Sequence, residues 1–291
     1  MEFDPITRIR RFNRAVTSQT GVLDSSFLGR GRPLGPARVI HAIGAGGCAV
    51  ADIRDRLRVD KSLLSRMLKG LVDEGLVRLR TDPDDARHRI AELTEAGLAE
   101  FAAYESLSDA HAERLLRTHP DPGALLAAMD LVATALSRDA IALVECDPQG
   151  AEARSCLSAY YAELQQRFEQ GFDVNLSRDP DADDMRRPRG VFLIALSDGL
   201  PLGCAGLKGS GGPVAEVKRL WVSPAARGLG LARRLMTRIE DTARDLGIDT
   251  LRLDTNSALP EAVALYENAG WQRIGRFNDD PYPDVFFEKR L

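Results

Sequence analysis

The sequence predicts two successive domains: a mainly α domain of short helices with a two-stranded wing, then an α/β domain on a mixed sheet. Three observations lead there. Residues 34–75 carry apolar side chains at helical spacing in short segments punctuated by glycine. Residues 139–291 instead alternate strand-like and helix-like runs. Between them HPDPG at 119–123 interrupts a long helical region, Ala124 to Leu136 is the next helix, and the boundary is expected near Ser137 to Asp139. The domains are therefore 1–138 and 139–291.

Composition narrows the class. A chain of 291 residues, 44% hydrophobic and 28% charged, is long enough for two full cores and does not favour disorder. No apolar run approaches membrane-spanning length, and the N-terminus (Asp4, Arg8, Arg10, Arg11) lacks the apolar block of a signal peptide. A cytoplasmic protein without membrane contact is expected. Cys48, Cys146, Cys156 and Cys204 are widely spaced without CxxC pairing, and His41, His88, His111 and His119 are scattered, so no metal site is expected. Net charge is −4, yet Ile6 to Arg38 holds seven arginines and one acid, which gives the first domain local positive surface.

In the first domain, Leu34, Ala37, Ile40 and Ile43 mark one helix, ended by the glycines at 44–47, and Val50 to Leu57 a second. Asp60 is placed to cap a third, whose Leu64, Met67, Leu68 and Leu71 form one stripe. Ser62, Ser65, Arg66 and Lys69 lie off that stripe, as a face entering a major groove requires. Gly75 closes the helix. Val77 to Leu79 and Ile90 to Leu93 then alternate around a polar, Asp-rich tip. This organisation resembles a winged helix-turn-helix of the MarR regulators, most closely in the wing, where Asp85, Arg87 and Leu93–Thr94 resemble that family's DxR…LT pattern. The resemblance implies binding of double-stranded DNA, with Val59 to Glu74 reading the major groove and Arg87 and Arg89 reaching the minor groove. It also implies a homodimer through the N-terminal domain, formed by the helices before residue 28 and after Thr94. A winged helix serving only protein contact is the other reading.

In the second domain the expected order is a strand (Ile141 to Glu145), a helix (Glu152 to Phe168), and a hairpin (Val191 to Leu196 and Leu202 to Leu207) around SDGLP. A strand (Ala215 to Val222), a helix (Leu231 to Leu246), a strand (Leu251 to Asp254) and a helix (Pro260 to Ala269) follow. Two strands, near Trp271 to Phe277 and Val285 to Lys289, end the chain. The stretch VAEVKRLWVSPAARGLGLARRL at 214–235 is a strand, a Pro-broken turn and a glycine-rich helix entry, a place to hold a pyrophosphate against free amides and the helix dipole. Arg233 stands where GxGxxG needs its third glycine, and the P-loop Lys–Ser/Thr pair is missing. Arg227, Gly230 and Ala232 do fit RxxGxA, which resembles the acetyl-CoA signature of the GNAT acetyltransferases. LDTNSALPEAVALYENAGW resembles the second CoA motif of that superfamily.

The GNAT resemblance covers residues 139–291 and implies acetyl-CoA as co-substrate. It implies that the amides of Gly228, Leu229, Gly230, Leu231 and Ala232, with Arg227, hold the pyrophosphate. Backbone groups of Leu220, Trp221 and Val222 would hold the thioester and pantetheine arm, and the Asn256 amide the pantetheine chain. Acetyl transfer needs a neutral amine, a stabilised oxyanion and a proton for the leaving thiolate. Tyr266, six residues into its helix, is the expected general acid. Glu216 is either the general base or a carboxylate paired with Lys218 on the same strand face. Lys218, Arg219, Arg187 and Arg189 are candidate anchors for an anionic acceptor, and Asp279, Asp280 and Tyr282 for an ammonium. The leading expectation is an N-acetyltransferase of a small amine or amino-acid-like compound, fused to a MarR-like transcriptional regulator. The alternatives are a regulator whose GNAT-like domain senses acetyl-CoA or a metabolite without turnover, and a protein acetyltransferase that uses the winged helix to choose partners.

Overall fold

The computed structural model describes residues 4–81, 85, 88–174 and 182–291. They form two compact units, Met1–Pro122 and Gly123–Leu291. The division falls at the HPDPG break, ahead of the expected 138/139, so the helix after that break belongs with the second unit. One reason is local: Ser137 Oγ at its end lies 2.9 Å from Ser197 Oγ of the second unit's sheet.

In the first unit, α1 (Pro5–Gln19) starts at Asp4, whose carboxylate accepts from the Ile6 and Thr7 amides, and α1 buries none of its residues. Helices α2 (Leu34–Ile43), α3 (Val50–Leu57) and α4 (Lys61–Asp73) close on a core of Val39, Ile40, Ile43, Ile53, Leu64, Leu68 and Leu71. Asp60 caps α4 by accepting from the Leu63 amide at 2.8 Å. Gly75, at φ +74°, lets the chain leave α4, with the Gly75 amide on Val72 O and the Leu76 amide on Leu71 O. Strand β1 (Cys48–Ala49) joins the wing strands β2 (Val77–Thr81) and β3 (Arg89–Leu93) in the antiparallel order β1-β3-β2. Helix α5 (Glu95–Thr118) carries Glu100, which is buried and bonded to Arg30 at 2.5 Å and to Arg32 at 2.7 Å.

In the second unit, α6 (Pro122–Leu136) leads into β4 (Ala142–Glu145), α7 (Ala151–Arg167), β5 (Val191–Ser197), β6 (Leu200–Gly209) and β7 (Val214–Val222). Then come α8 (Leu231–Asp245), β8 (Thr250–Thr255), α9 (Pro260–Asn268), β9 (Gln272–Ile274) and β10 (Val285–Arg290). The sheet runs β4-β5-β6-β7-β8-β10-β9, so the last strand inserts beside β8. Period-two alternation divides β5 between two faces: Leu193 packs with Leu231, Leu235 and Ile239 of α8, while Phe192 and Ile194 pack with Cys156 and Leu157 of α7. All pairings are antiparallel except β7 with β8, which run parallel through Val214–Thr250, Ala215–Leu251 and Glu216–Arg252 and then part. The β6–β7 register also shifts between Cys204 and Gly206, opposite Arg219 at φ +59°. Among the described residues, no helix is long and apolar enough to cross a membrane, and no cluster of side chains suits a metal ion.

The Glu100 carboxyl is held below its ordinary value of 4.5, first by the hydrogen bond from Arg30, against the opposing effect of burial. A depressed folded-state value contributes stability that is present above 4.5 and lost as pH falls through the folded value. Urea denaturation of the native protein therefore shows the first unit weakening below that pH. In Glu100→Gln that acid-side slope flattens, and stability at neutral pH drops by about 3 kcal/mol because the buried charge that Arg30 and Arg32 share is removed, leaving Arg32 only Glu74.

Candidate functional site

The strand–turn–helix at 214–235 builds one wall of a cleft. After β7, Pro224–Ala226 makes a single 3-10 turn, and Gly228 and Gly230 take φ +75° and +77°, a region that glycine enters without strain. Gly230 caps α8 with no side chain on the first-turn amides. Those amides, with the positive helix end behind them, suit an anion. The cleft has a volume of about 500 Å³ and is lined by residues 220–222, 226–228 and 230–233 on this side, and by α7 and α9 on the other. Leu220, Trp221, Val222, Arg227, Gly228, Gly230, Leu231 and Ala232 thus come together as expected.

Two expected cofactor ligands do not join them. Leu229 is half-buried but does not line the cleft. The Asn256 amide is already used: its Nδ2 donates to Tyr282 O at 2.6 Å, and its Oδ1 accepts from the Ala258 amide at 2.8 Å. It ties the 280s loop to the start of α9, a role set by the turn after β8. Arg227 is also engaged, donating to Val222 O at 3.1 Å and to Glu163 Oε2 at 2.5 Å. Glu163 Oε2 in turn accepts from Trp221 Nε1 at 3.0 Å.

A smaller cavity, about 110 Å³, lies where β7 and β8 part, lined by Val217–Leu220, Asp254–Asn256, Tyr266 and residues of α7 and the 280s loop. It shares Tyr160, Leu164, Leu220, Leu259 and Ala262 with the cleft, so the two adjoin. Tyr266 is buried and lines the smaller cavity, and burial pushes its phenol well above the ordinary 10.0, with the Asp254 charge adding to the rise. Tyr160 of α7 is pushed up in the same way, by burial and then by Tyr266 and Asp254. Both remain protonated donors at neutral pH. Beside them, Lys218 Nζ lies 2.8 Å from Asp254 Oδ2 and 3.0 Å from Glu216 Oε2. Burial alone would lower the Lys218 ammonium, but the two carboxylates outweigh it and raise it. Asn278 Nδ2 donates to the same Asp254 oxygen at 2.5 Å.

Glu216 therefore takes the paired alternative. It lines neither space, because it sits where β7 is still paired with β8, and its carboxylate holds Lys218. The carboxylate that does reach the smaller cavity from the sheet is Asp254. Arg187 is bound to Glu145 at 2.6 and 2.8 Å and Arg189 to Asp184 at 3.1 Å, so neither anchors anything here. Tyr160, Glu163 and Arg167 were missed, since nothing in their spacing along α7 marks chemistry.

In the first unit, Ser65, Arg66 and Lys69 are exposed on α4, on the side opposite buried Leu64, Leu68 and Leu71. Ser62 Oγ instead donates to the capping Asp60 at 2.6 Å, and Lys69 lies 3.7 Å from Asp73. Arg89 is exposed at the start of β3. Arg87 lies outside the described residues. Arg78 and Arg80 of β2, which the motif did not single out, both engage Glu92, at 2.8 and 2.5 Å.

Comparison with known proteins follows the same division. The pattern of the Acetyltransferase (GNAT) family matches residues 157–271, and that of the MarR family residues 31–88. An IAA acetyltransferase of Azospirillum brasilense is 39% identical over 116 residues, 38% of this chain and 74% of that protein. An uncharacterized N-acetyltransferase of Schizosaccharomyces pombe is 35% identical over 133 residues, 43% of this chain and 82% of that one. Among solved structures, an acetyltransferase of the GNAT family from Staphylococcus aureus aligns with 20% identity and a TM-score of 0.46, over 52% of this chain and 99% of its own.

The buried phenols give a spectroscopic test. Up to pH 10 neither the folded nor the unfolded chain releases these protons; above it the unfolded chain releases them first, so stability falls as pH rises. Absorbance at 295 nm of the native protein is expected to lack the tyrosinate contribution of Tyr160 and Tyr266 just above pH 10 and to gain it on unfolding. Tyr160→Phe and Tyr266→Phe each shrink that unfolding step.

Proposed function

The chain belongs to the GNAT acetyltransferase family and carries a MarR-family region at residues 31–88, and from that premise we propose that it moves the acetyl group of acetyl-CoA to a small primary amine or amino-acid-like acceptor. The observation that carries this reading is the adjacency of the two spaces, which share Leu220. A thioester lying along the cleft presents its carbonyl to an amine in the smaller cavity at Leu220, where β7 has lost β8. The pyrophosphate rests on the α8 amides, and unpaired β7 backbone N–H groups hold the thioester oxygen as charge develops there. Asp254 draws in the ammonium form of the acceptor. The ammonium gives up one proton to solvent, the neutral nitrogen bonds the carbonyl carbon, the C–S bond breaks as the Tyr266 phenol protonates the departing sulfur, and the second proton lost from the nitrogen restores the phenol. A phenol kept neutral by burial suits that last step.

For the first unit we propose a homodimer on double-stranded DNA, with Ser65, Arg66 and Lys69 of α4 in the major groove and the wing, including Arg87 and Arg89, at the minor groove. The dimer reading is supported by α1, which leaves Ile6, Ile9, Phe12 and Val16 exposed. Residues 31–88 and the acetyltransferase site lie in different units, so substitutions separate their functions.

Tyr266→Phe is expected to lower kcat about 100-fold in a CoA-release assay, with the KM for acetyl-CoA little changed. An unchanged kcat would remove Tyr266 from the reaction. Arg66→Ala should weaken operator binding, reduce the slope of log K against log salt by about one, and leave acetyl transfer untouched. Wild-type DNA affinity that ignores salt would overturn the DNA-binding reading.

A further inference from the structure

The smaller cavity has a feature that acetyl transfer alone does not require. Its outer wall is a continuous run of rings from three separated segments: Tyr160 and Tyr161 at the end of α7, Phe168 and Phe172 just after it, and Tyr282 in the 280s loop. Tyr161 stacks on Phe172 at 5.5 Å, Phe172 meets Tyr282 at 4.7 Å, and Phe168 stacks on Tyr282 at 6.0 Å. Aromatic residues are only 6% of the chain, so these five and Tyr266 around one small cavity are a concentration that composition does not explain. All five are half-buried, which leaves ring surface facing the hollow.

This wall is held in place by the protein itself. Tyr282 Oη accepts from the Asp173 amide at 2.8 Å, Gln165 Oε1 accepts from the Phe172 amide at 2.8 Å, and Asn256 fixes Tyr282 O. The rings are thus ordered before anything binds, and a ligand that stacks on them does not have to order them. Burying exposed ring surface beneath a flat π-face is favourable both as apolar area and through the ring quadrupoles.

Charge fixes the other end of the ligand. At the inner end Lys218 is held between Asp254, which lines the cavity, and Glu216 behind it, so two carboxylates neutralise one ammonium beside the Tyr160 and Tyr266 phenols. A cationic amine is attracted there and a carboxylate repelled. The Arg219 guanidinium lies 5.9 Å from the Tyr161 ring centre, and the Asp280 carboxylate also lines the cavity. Size limits the rest. A volume of about 110 Å³ is below the roughly 150 Å³ apolar cavity known to accept benzene, so the space takes at most one ring and a fused or larger system does not fit.

Resting on the acetyl-transfer reading of the same site, we propose that the acceptor is a primary amine bearing a single aromatic ring on a short linker, the ring seated against Tyr161, Phe168, Phe172 and Tyr282 and the nitrogen directed to Asp254. The test uses the full-length protein with acetyl-CoA and two probes of similar length, phenethylamine and hexylamine. Phenethylamine is expected to have the higher kcat/KM by about tenfold, the worth of two ring contacts. In Phe172→Leu that ratio falls toward one. Phe168→Leu serves as the second variant if the first does not fold. Equal kcat/KM for the two amines, or a ratio that neither variant changes, overturns the proposal. Binding is read separately from 19F line broadening of 4-fluorophenethylamine in the presence of CoA. Broadening that either variant diminishes, without acetylation of any amine, keeps the ring site and sinks the acetyl-transfer reading. No broadening with the wild-type protein sinks the ring site itself.

Discussion

Strand β7 parts from β8 after Glu216, and the chemistry of the second unit depends on that parting. A strand interior normally satisfies its backbone on both sides, so a stretch left open on one side needs water or a ligand as its partner. Here the opening is prepared on the opposite edge as well, where the β6–β7 register shifts and Arg219 adopts a left-handed φ. That conformation costs an arginine about 1–3 kcal/mol and persists only where its surroundings enforce it. Cys204 Sγ, donating to Arg219 O at 3.3 Å, is one such restraint. The result is a gap whose mouth holds the glycine turn and whose inner end holds Asp254 and Tyr266.

Charge at the inner end follows from the same geometry. Lys218 and Asp254 side chains are each only 12% exposed, and a buried ion of this kind is tolerable only when paired. Glu216 supplies the third member from the still-paired part of β7. Holding a fixed ammonium between two carboxylates keeps one negative charge available to an incoming cation, while the neighbouring phenols stay neutral because burial penalises their ionised forms. In the proposed reaction, attraction of the acceptor and protonation of the leaving group therefore fall to different residues.

What could be read from the sequence was what local rules dictate. The glycines at 228 and 230 are demanded by backbone conformation at their own positions, and the position of Tyr266 follows from its place in a helix beginning at Pro260. The helix ends, the hairpin and the wing were legible for the same reason. Glu216 was not settled. Alternation places it on the same face as Lys218, but whether that face meets the cavity depends on where β8 departs, which no local pattern encodes. The tie from Asn256 to Tyr282 could not be read, because the two are 26 residues apart in sequence. Tyr160 and Glu163 escaped notice because α7 is covered on one side by the sheet, through Cys156 and Leu157, and lines the cleft on another. A helix used on two sides offers no single stripe to read. The boundary at 122/123 belongs with these cases, since the HPDPG break was visible but the allegiance of α6 rests on contacts distant in sequence, such as Ser137 with Ser197.

Glu163 also places a constraint on the mouth of the cleft. Its carboxylate binds Arg227 and Trp221 and lies 3.4 Å from Arg167, which itself pairs with Glu261 and donates to Ala258 O at 3.1 Å. The chain of charges runs from the glycine turn across α7 to α9, so Arg227 and Arg167 already have an anion, whereas Arg233, which also lines the cleft, pairs with none among the described residues. In the proposed complex a diphosphate at the α8 amides takes Arg227 from Glu163, so that contact gains only the difference between two paired states, while Arg233 exchanges no carboxylate. The amides have no such competitor, because Gly230 brings no side chain to cap them. They are the part of the turn with the most to gain from an anion, and the requirement for glycine at that position is therefore as much electrostatic as conformational.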